Sequence, residues 1–188
     1  MAELRIIAGR WRGRRIQVPE SGVRPTADRV REAWMSILQP HIPDALVLDL
    51  CAGSGALGLE CLSRGATHCD FVEQDPKVAK VLKANIATLK AEAVSTVHLA
   101  DAVQFTSQLP TSNSQRAVER PYTLSLADPP YATDTALRLA SIWLEHPFSD
   151  IFCLEHSAAV SLPDATAGAT TDRRRYGDTA ITIYRLSA

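Results

Sequence analysis

Apolar and polar positions change period along this chain, and the changes mark its elements. Residues 5–18 (RIIAGRWRGRRIQV) place apolar positions at both ends of a basic middle containing Gly9 and Gly13, which predicts a β-hairpin or two short strands. Arg24-Pro25-Thr26 is an extended entry into a helix from about Ala27 to Leu38, where Val30, Ala33, Trp34 and Ile37 share one face at the i, i+3, i+4, i+7 spacing. The helix ends before Pro40, and Pro43 closes the connection.

From Ala45 strands and helices alternate. ALVLDL (45–50) is a short, continuously apolar strand ending in an acid, followed by a glycine turn over 52–55 and a helix over 56–63. CDFVE (69–73) is a second strand, and Asp75-Pro76 then supplies an N-cap with proline at the first helical position for a helix to about Lys90. Residues 96–100 form a third strand and 102–109 a short helix; the polar stretch 110–121 is a surface loop. YTLSLA (122–127) is a fourth strand, 133–146 a helix and IFCLE (151–155) a fifth strand. AITIYRL (180–186) alternates as a closing strand, antiparallel to a segment before the turn Tyr176-Gly177-Asp178. Residues 163–172 are small and polar, and Arg173-Arg174-Arg175 reads as a loop with incidental phosphate contact. This alternation calls for an α/β fold with a parallel, doubly wound sheet covered by helices on both faces. Residues 1–40 form a basic extension and 41–188 the main domain.

Composition narrows the class. The chain has 188 residues, of which 46% are apolar and 22% charged, enough to bury a core and too apolar for a disordered chain. No run of 18 apolar residues predicts a membrane-spanning helix. No apolar stretch follows the first charges, so a secretory signal is not expected either. Four cysteines at 51, 61, 69 and 153 show no CxxC or zinc-type spacing, the pattern of reduced thiols in a cytoplasmic protein. The five histidines are scattered without HxxxH or HExxH, so no metal site is expected. Net charge is −1, but residues 1–31 hold eight arginines against three acids, while the remainder is mildly acidic. A basic arm on an acidic body suits a polyanionic partner.

In doubly wound sheets ligands bind beyond the carboxyl ends of strands. All five strand ends here are acidic: Asp49, Glu73, Asp101, Asp128 and Glu155. The first leads into Asp49-Leu50-Cys51-Ala52-Gly53-Ser54-Gly55-Ala56-Leu57-Gly58, a GxGxxG between strand and helix. Glycines there permit a tight turn and close approach of a ligand. Glu73 follows Gly53 by 20 residues at the next strand end, with Gln74 beside it, where a carboxylate can accept both ribose hydroxyls. The motif alone names no cofactor. An acid beside the loop disfavours a pyrophosphate and suits a cationic amino-acid end such as that of S-adenosylmethionine. Asp101, followed by Ala102, can accept from an adenine amine or cap the helix that follows.

The second constellation is Asp128-Pro129-Pro130-Tyr131. An exocyclic amine on a nucleobase is a poor nucleophile because its lone pair is delocalised into the ring. A carboxylate accepting one N–H and a prolyl-turn carbonyl accepting the other would hold that nitrogen while it becomes tetrahedral, and two prolines pre-aim the carbonyl. Tyr131 offers a face on which an unpaired base stacks. The third is the arm, Arg5, Arg10, Trp11, Arg12, Arg14 and Arg15, followed by Arg24, Arg29 and Arg31. Its arginines suit phosphates, and Trp11 can stack or pack.

RIIAGRWRGRRIQVP, RPTADRVREA, LDLCAGSGALGLECLSRGA, ADPPY and a late YGDT together resemble the bacterial 16S ribosomal RNA guanine-N2 methyltransferases of the RsmD type, over nearly the whole chain. The resemblance implies a class I, Rossmann-like methyltransferase fold with a mostly parallel seven-stranded sheet, an antiparallel C-terminal strand and an N-terminal hairpin-and-helix extension. It implies S-adenosylmethionine at 49–58 and Glu73, adenine at Asp101, the target guanine at Asp128–Tyr131, and rRNA of the small subunit on the arginines; the small size and charged surface point to a monomer. Two departures are Cys51, where an aromatic is expected, and a longer polar stretch over 107–121. The rival readings are a DNA or other RNA amino-methyltransferase, a nicotinamide-dependent oxidoreductase on the same glycine loop, and a non-catalytic RNA-binding assembly factor.

Overall fold

The computed structural model describes residues 2–19, 25–110 and 121–187, with side chains in the first helix described from Val30 onward. A two-stranded antiparallel hairpin, β1 (Ala2–Arg5) and β2 (Arg15–Val18), precedes helix α1 (Pro25–Leu38). Strands β3 (Leu46–Leu50), β4 (His68–Glu73), β5 (Ser95–Leu99), β6 (Tyr122–Ala127), β7 (Ser149–Ser157), β8 (Ala169–Tyr176) and β9 (Thr179–Leu186) form one sheet in the order β5-β4-β3-β6-β7-β9-β8. The first five run parallel, and β9 lies antiparallel between β7 and β8. Helices α2 (Ala56–Ser63), α3 (Pro76–Leu89), α4 (Ala102–Ser107) and α5 (Thr135–Glu145) make the crossovers. The expected fold class is present, down to the N-cap: Asp75 accepts from the amides of Lys77 and Val78 with Pro76 next to it.

Alternation along the strands builds two cores. Val47, Cys69, Phe71, Leu124 and Ile183 face α1, α2 and α3 on one side. Leu48, Leu50, Val72, Phe152 and Tyr184 face the helices α4 and α5 on the other, where Trp143 donates its indole N–H to the Ser149 carbonyl at 3.1 Å.

Three expectations are corrected. Residues 169–176 are a strand, so Arg173, Arg174 and Arg175 are not in a loop. Their segment shows no apolar alternation because β8 is the sheet edge, where register with β9 (Arg173↔Thr182, Arg174↔Ile181, Arg175↔Ala180) supplies the order and charged side chains discourage further strand pairing. The buried face of α1 is Val30, Trp34, Met35 and Leu38; Ala33 and Ile37 lie only partly covered, about one position out of phase with the predicted stripe. Trp11 is not an RNA-stacking surface: it is 9% exposed in the core of the α1 to α3 side, with the Arg10 guanidinium 4.2 Å above its ring.

The hairpin is docked rather than loose. Glu60 on α2, fully buried, accepts from the amides of Ile7 (2.8 Å) and Ala8 (3.0 Å) and from Arg64 Nε (2.9 Å). The Ser63 hydroxyl accepts from the Trp11 amide and donates to the Ala8 carbonyl, while the Ser63 carbonyl accepts from the Arg10 amide at 2.8 Å. Asn85, buried on α3, accepts from the Gln17 amide and donates to the carbonyls of Gln17 and Ser54, which ties β2 to the glycine loop. Asn85 shares its buried face of α3 with Leu82, Ile86 and Leu89, at i, i+3, i+4, i+7 spacing, where a buried amide must find partners.

Candidate active site

The strand order reverses between β3 and β6, whose connections leave in opposite directions and open a crevice at their carboxyl ends. The register Leu50↔Ala127 sets the loop that starts at Cys51 beside the turn that starts at Asp128. Two segments far apart in sequence thereby border one cavity of about 380 Å³.

Of the residues expected to hold a cofactor, Asp49, Ala52, Gly53, Ser54, Glu73, Gln74, Asp101 and Ala102 line this cavity. Gly55 and Gly58 do not, and both are packed closely against core side chains. A Cβ on Gly55 would stand 2.4 Å from Leu82 Cδ1, and one on Gly58 would stand 2.4 Å from Phe71 and 2.6 Å from Cys69. Gly53 differs: its φ is +56° and a Cβ there would meet nothing within 4 Å, so it borders open space. Cys51 shares the left-handed conformation at φ 57°. Burial first, then the negative charges around it, pushes its thiol up to about 12, so it stays neutral.

Glu73 is buried, and its two oxygens each accept one amide, from Gly53 (2.9 Å) and from Asp75 (2.8 Å). A carboxylate has about four acceptor sites, so each oxygen retains capacity for a ligand hydroxyl. Asp101 caps α4 through the Gln104 amide at 2.8 Å and also lines the cavity, which makes its two anticipated roles compatible.

Asp49 sits on the face of β3 that looks at α2, and one of its oxygens accepts from the Gly58 amide at 2.9 Å. It is 1% exposed. Burial raises its pKa to about 8 against an ordinary 3.8; the Gly58 N–H opposes this, and the charges of Asp128 and Glu73 add to it. The sign follows from linkage: a folded pKa above the unfolded one favours the folded state below pH 3.8, and that contribution is lost as pH rises towards 8. Asp49→Asn keeps an acceptor for the Gly58 amide and cannot ionise. The variant should therefore gain stability relative to the parent between pH 4 and 8, levelling off above. Urea unfolding at pH 5, 7 and 9 measures this, and a pH-independent difference would contradict it.

The turn after β6 presents exposed Asp128 and Pro130 to the cavity, over a buried Pro129. The Pro130 carbonyl accepts from the Thr133 amide and hydroxyl, at 3.2 and 2.8 Å, which pins the turn. Tyr131 is tethered sideways: its hydroxyl donates to Glu155 at 2.7 Å and lies 2.8 Å from the Thr179 hydroxyl, across β7 and β9. Burial and the Glu155 carboxylate raise its pKa. Pro129 and Tyr131 belong to the same turn but are not among the residues that line the cavity. Glu155, recognised in sequence only as a strand-end acid, lines the cavity as well.

Arg5, Arg10, Arg12, Arg14 and Arg15 are exposed. Arg14 donates to the Thr88 carbonyl at 2.6 Å and Arg15 pairs with Glu3 at 2.7 Å. Arg24 and the side chain of Arg29 lie outside the described residues, as does 111–120 of the polar stretch 107–121. Arg31 departs from the expected arm: it is 8% exposed and lines the cavity with Leu4, Val18 and Pro19 of the hairpin. The signal was present, since positions 31, 35 and 38 are i, i+4, i+7 and the last two are buried. Among the described residues no group of three or more His, Cys, Asp or Glu is arranged for a metal ion, and no helix is long and apolar enough to cross a membrane.

The sequence model of a family described as conserved hypothetical protein 95 matches residues 4–185. Ribosomal RNA small subunit methyltransferase D of Escherichia coli (strain K12) is 45% identical over 130 residues, 69% of this chain and 61% of that protein. The match therefore spans about three fifths of that relative's length. The Bacillus subtilis (strain 168) protein YlbH is 31% identical over 187 residues, 97% of this chain and 98% of its own. The solved structure of Escherichia coli yhhF superposes with a TM-score of 0.83 at 32% identity, covering 100% of this chain and 99% of that one.

Proposed function

The chain belongs to the conserved hypothetical protein 95 family, and from that premise we propose that it transfers a methyl group from S-adenosylmethionine to the exocyclic N2 amine of a guanine in 16S rRNA of the small ribosomal subunit. The observation that carries the reading is the meeting, at one cavity, of a ribose-ready Glu73 beside the open Gly53 with the Asp128 turn that suits an amine. The name of the Escherichia coli relative agrees with it.

The residues present fit S-adenosylmethionine. Gly53 leaves room for close approach, Glu73 offers acceptors for the ribose, Asp101 offers one for the adenine amine, and Asp49 lies beside the loop for a cationic end. When bound, the cofactor supplies a methyl group on a positively charged sulfur. Asp128 accepts one N–H of the incoming amine and the Pro129 carbonyl the other, which orients the nitrogen lone pair for attack and offsets the positive charge it gains. Thr133 keeps that turn from relaxing. Tyr131, held by Glu155 and Thr179, supports the turn and offers an aromatic face to the base at the cavity mouth. The exposed hairpin arginines meet RNA phosphates, and the protein works as a cytoplasmic monomer.

The test is incubation with methyl-labelled S-adenosylmethionine and unmodified small subunits, beside naked rRNA and DNA, followed by nuclease digestion and mass spectrometry. N2-methylguanosine in small-subunit RNA is the expected product. Label in adenine or cytosine of DNA would move the assignment to an amino-methyltransferase of DNA, and no label would leave a binding factor. The arm makes its own prediction. Arg12→Ala combined with Arg14→Ala should weaken RNA binding and flatten the slope of log K against log salt by about 1.4 to 1.8, on the order of 0.7–0.9 per phosphate contact. Filter binding between 50 and 300 mM salt reads it, and an unchanged slope would remove the arm from the interface.

A further inference from the structure

The wall of the cavity carries five acidic side chains, Asp49, Glu73, Asp101, Asp128 and Glu155, of which burial keeps Asp49 largely protonated near neutral pH. Among the described residues that line it, Arg31 is the single basic one. Arg31 is buried, at 8% exposure, and one Nη donates to the Arg5 carbonyl on β1 at 3.1 Å, so it is held from behind by the hairpin. A guanidinium has five N–H donors in a rigid plane, and a fork of two of them matches a carboxylate.

S-adenosylmethionine brings two positive groups, the sulfonium and the α-ammonium, and one negative group, the α-carboxylate. The carboxylates of the wall favour the two positive groups and repel the third. Among the described residues, only Arg31 offers the wall a charge complementary to it, and burial strengthens that attraction relative to water. Glu73 and Asp101, at the ends of β4 and β5, are assigned to the nucleoside, so the amino-acid end is directed away from them, towards the part of the wall that α1 and the hairpin complete. We infer that Arg31 binds the α-carboxylate of S-adenosylmethionine. This rests on the reading of the cavity as the cofactor site. It makes the N-terminal extension a wall of that site as well as a carrier of RNA contacts, and it explains an arginine on the buried face of α1, where a methionine or leucine would otherwise pack.

Calorimetry on the full chain with two ligands tests it: S-adenosylmethionine, and its decarboxylated form, which lacks only the carboxylate. The parent protein should bind S-adenosylmethionine about 10- to 100-fold more tightly than the decarboxylated form, the range for a hydrogen bond to a charged group. Arg31→Gln should erase that preference, losing affinity for S-adenosylmethionine while binding the decarboxylated form as before, and Arg31→Lys should restore part of it. Equal losses for both ligands, or full affinity for S-adenosylmethionine in Arg31→Gln with only the KM for RNA raised, would overturn the assignment, the second pattern placing the guanidinium on the target base. Should Arg31→Gln fail to fold, as thermal melting would reveal, near-equal affinity of the parent for the two ligands overturns it. Absence of binding of either ligand to the parent would instead bring down the cofactor reading beneath it.

Discussion

Asp128→Ala should lower the rate of methyl transfer to small-subunit RNA by about 10²- to 10⁴-fold, the span for loss of a group that handles a proton or developing charge in the transition state. Affinity for S-adenosylmethionine should stay within about twofold in the same variant. The asymmetry follows from position. Asp128 follows β6 and is exposed to the cavity, whereas Glu73 and the glycine loop, proposed to hold the nucleoside, lie at the ends of β4 and β3 and hold each other through the Gly53 amide. Removing Asp128 takes one negative charge from the wall but also relieves a charge that raises the Asp49 pKa, so fuller ionisation of Asp49 offsets the loss. Single-turnover rates paired with calorimetry decide it. A parallel fall in both quantities would show that Asp128 holds the cofactor, not the amine.

Gly9→Ala should be the most disruptive single change in the hairpin. The φ of Gly9 is +79°, and a Cβ there would lie 1.8 Å from the Ser63 carbonyl oxygen and 2.3 Å from its carbon. Both atoms are backbone at the end of α2, so no side chain can swing away. The tip must lift, which breaks the bonds from the Arg10 and Trp11 amides to Ser63 and uncovers the core around Trp11. Overpacking in a tight site costs roughly 1–3 kcal/mol and a non-glycine residue in left-handed backbone about 1–2 kcal/mol more. A loss of about 3 kcal/mol corresponds to a fall in Tm of roughly 6–12 °C for a domain of this size. Gly13→Ala is the control: its φ is +83° but a Cβ there would meet nothing within 4 Å, so it should lose only the smaller backbone contribution. Equal Tm values for the two variants would show that docking against Ser63 is not what holds the hairpin.

How much of this was legible beforehand divides along physical lines. The alternation of strands and helices, the Asp75-Pro76 cap and the acids at strand ends are local properties, each decided by residues within a few positions of one another, and they emerge in the structure where expected. The glycine loop was legible as a loop, but the roles of its glycines were not. Gly58 is demanded by Phe71 and Cys69 on a neighbouring strand, and nothing in the spacing of a GxGxxG distinguishes a glycine that faces a ligand from one that faces a side chain. A partner for β9 before the turn at 176–178 was expected, but its extent through Arg173–Arg175 was not legible, because an edge strand draws its order from the hydrogen bonds of β9 and needs no apolar pattern of its own.

The sequence by itself determined the fold class, the order of the elements and the chemical character of the strand ends, because apolar period, capping residues and turn residues act over short distances. Only the tertiary structure decided which of those groups share a cavity. Asp128 comes beside Cys51 through parallel pairing of β3 with β6, and Tyr131 is fixed by residues from two other strands. Eight arginines near the N-terminus look alike in a chain read linearly. Arg31 turns inward and Arg12 stays in solvent because one lies on the face of α1 that must be buried and the other at the rim of a docked hairpin, a distinction made by packing across long separations and not by residue type.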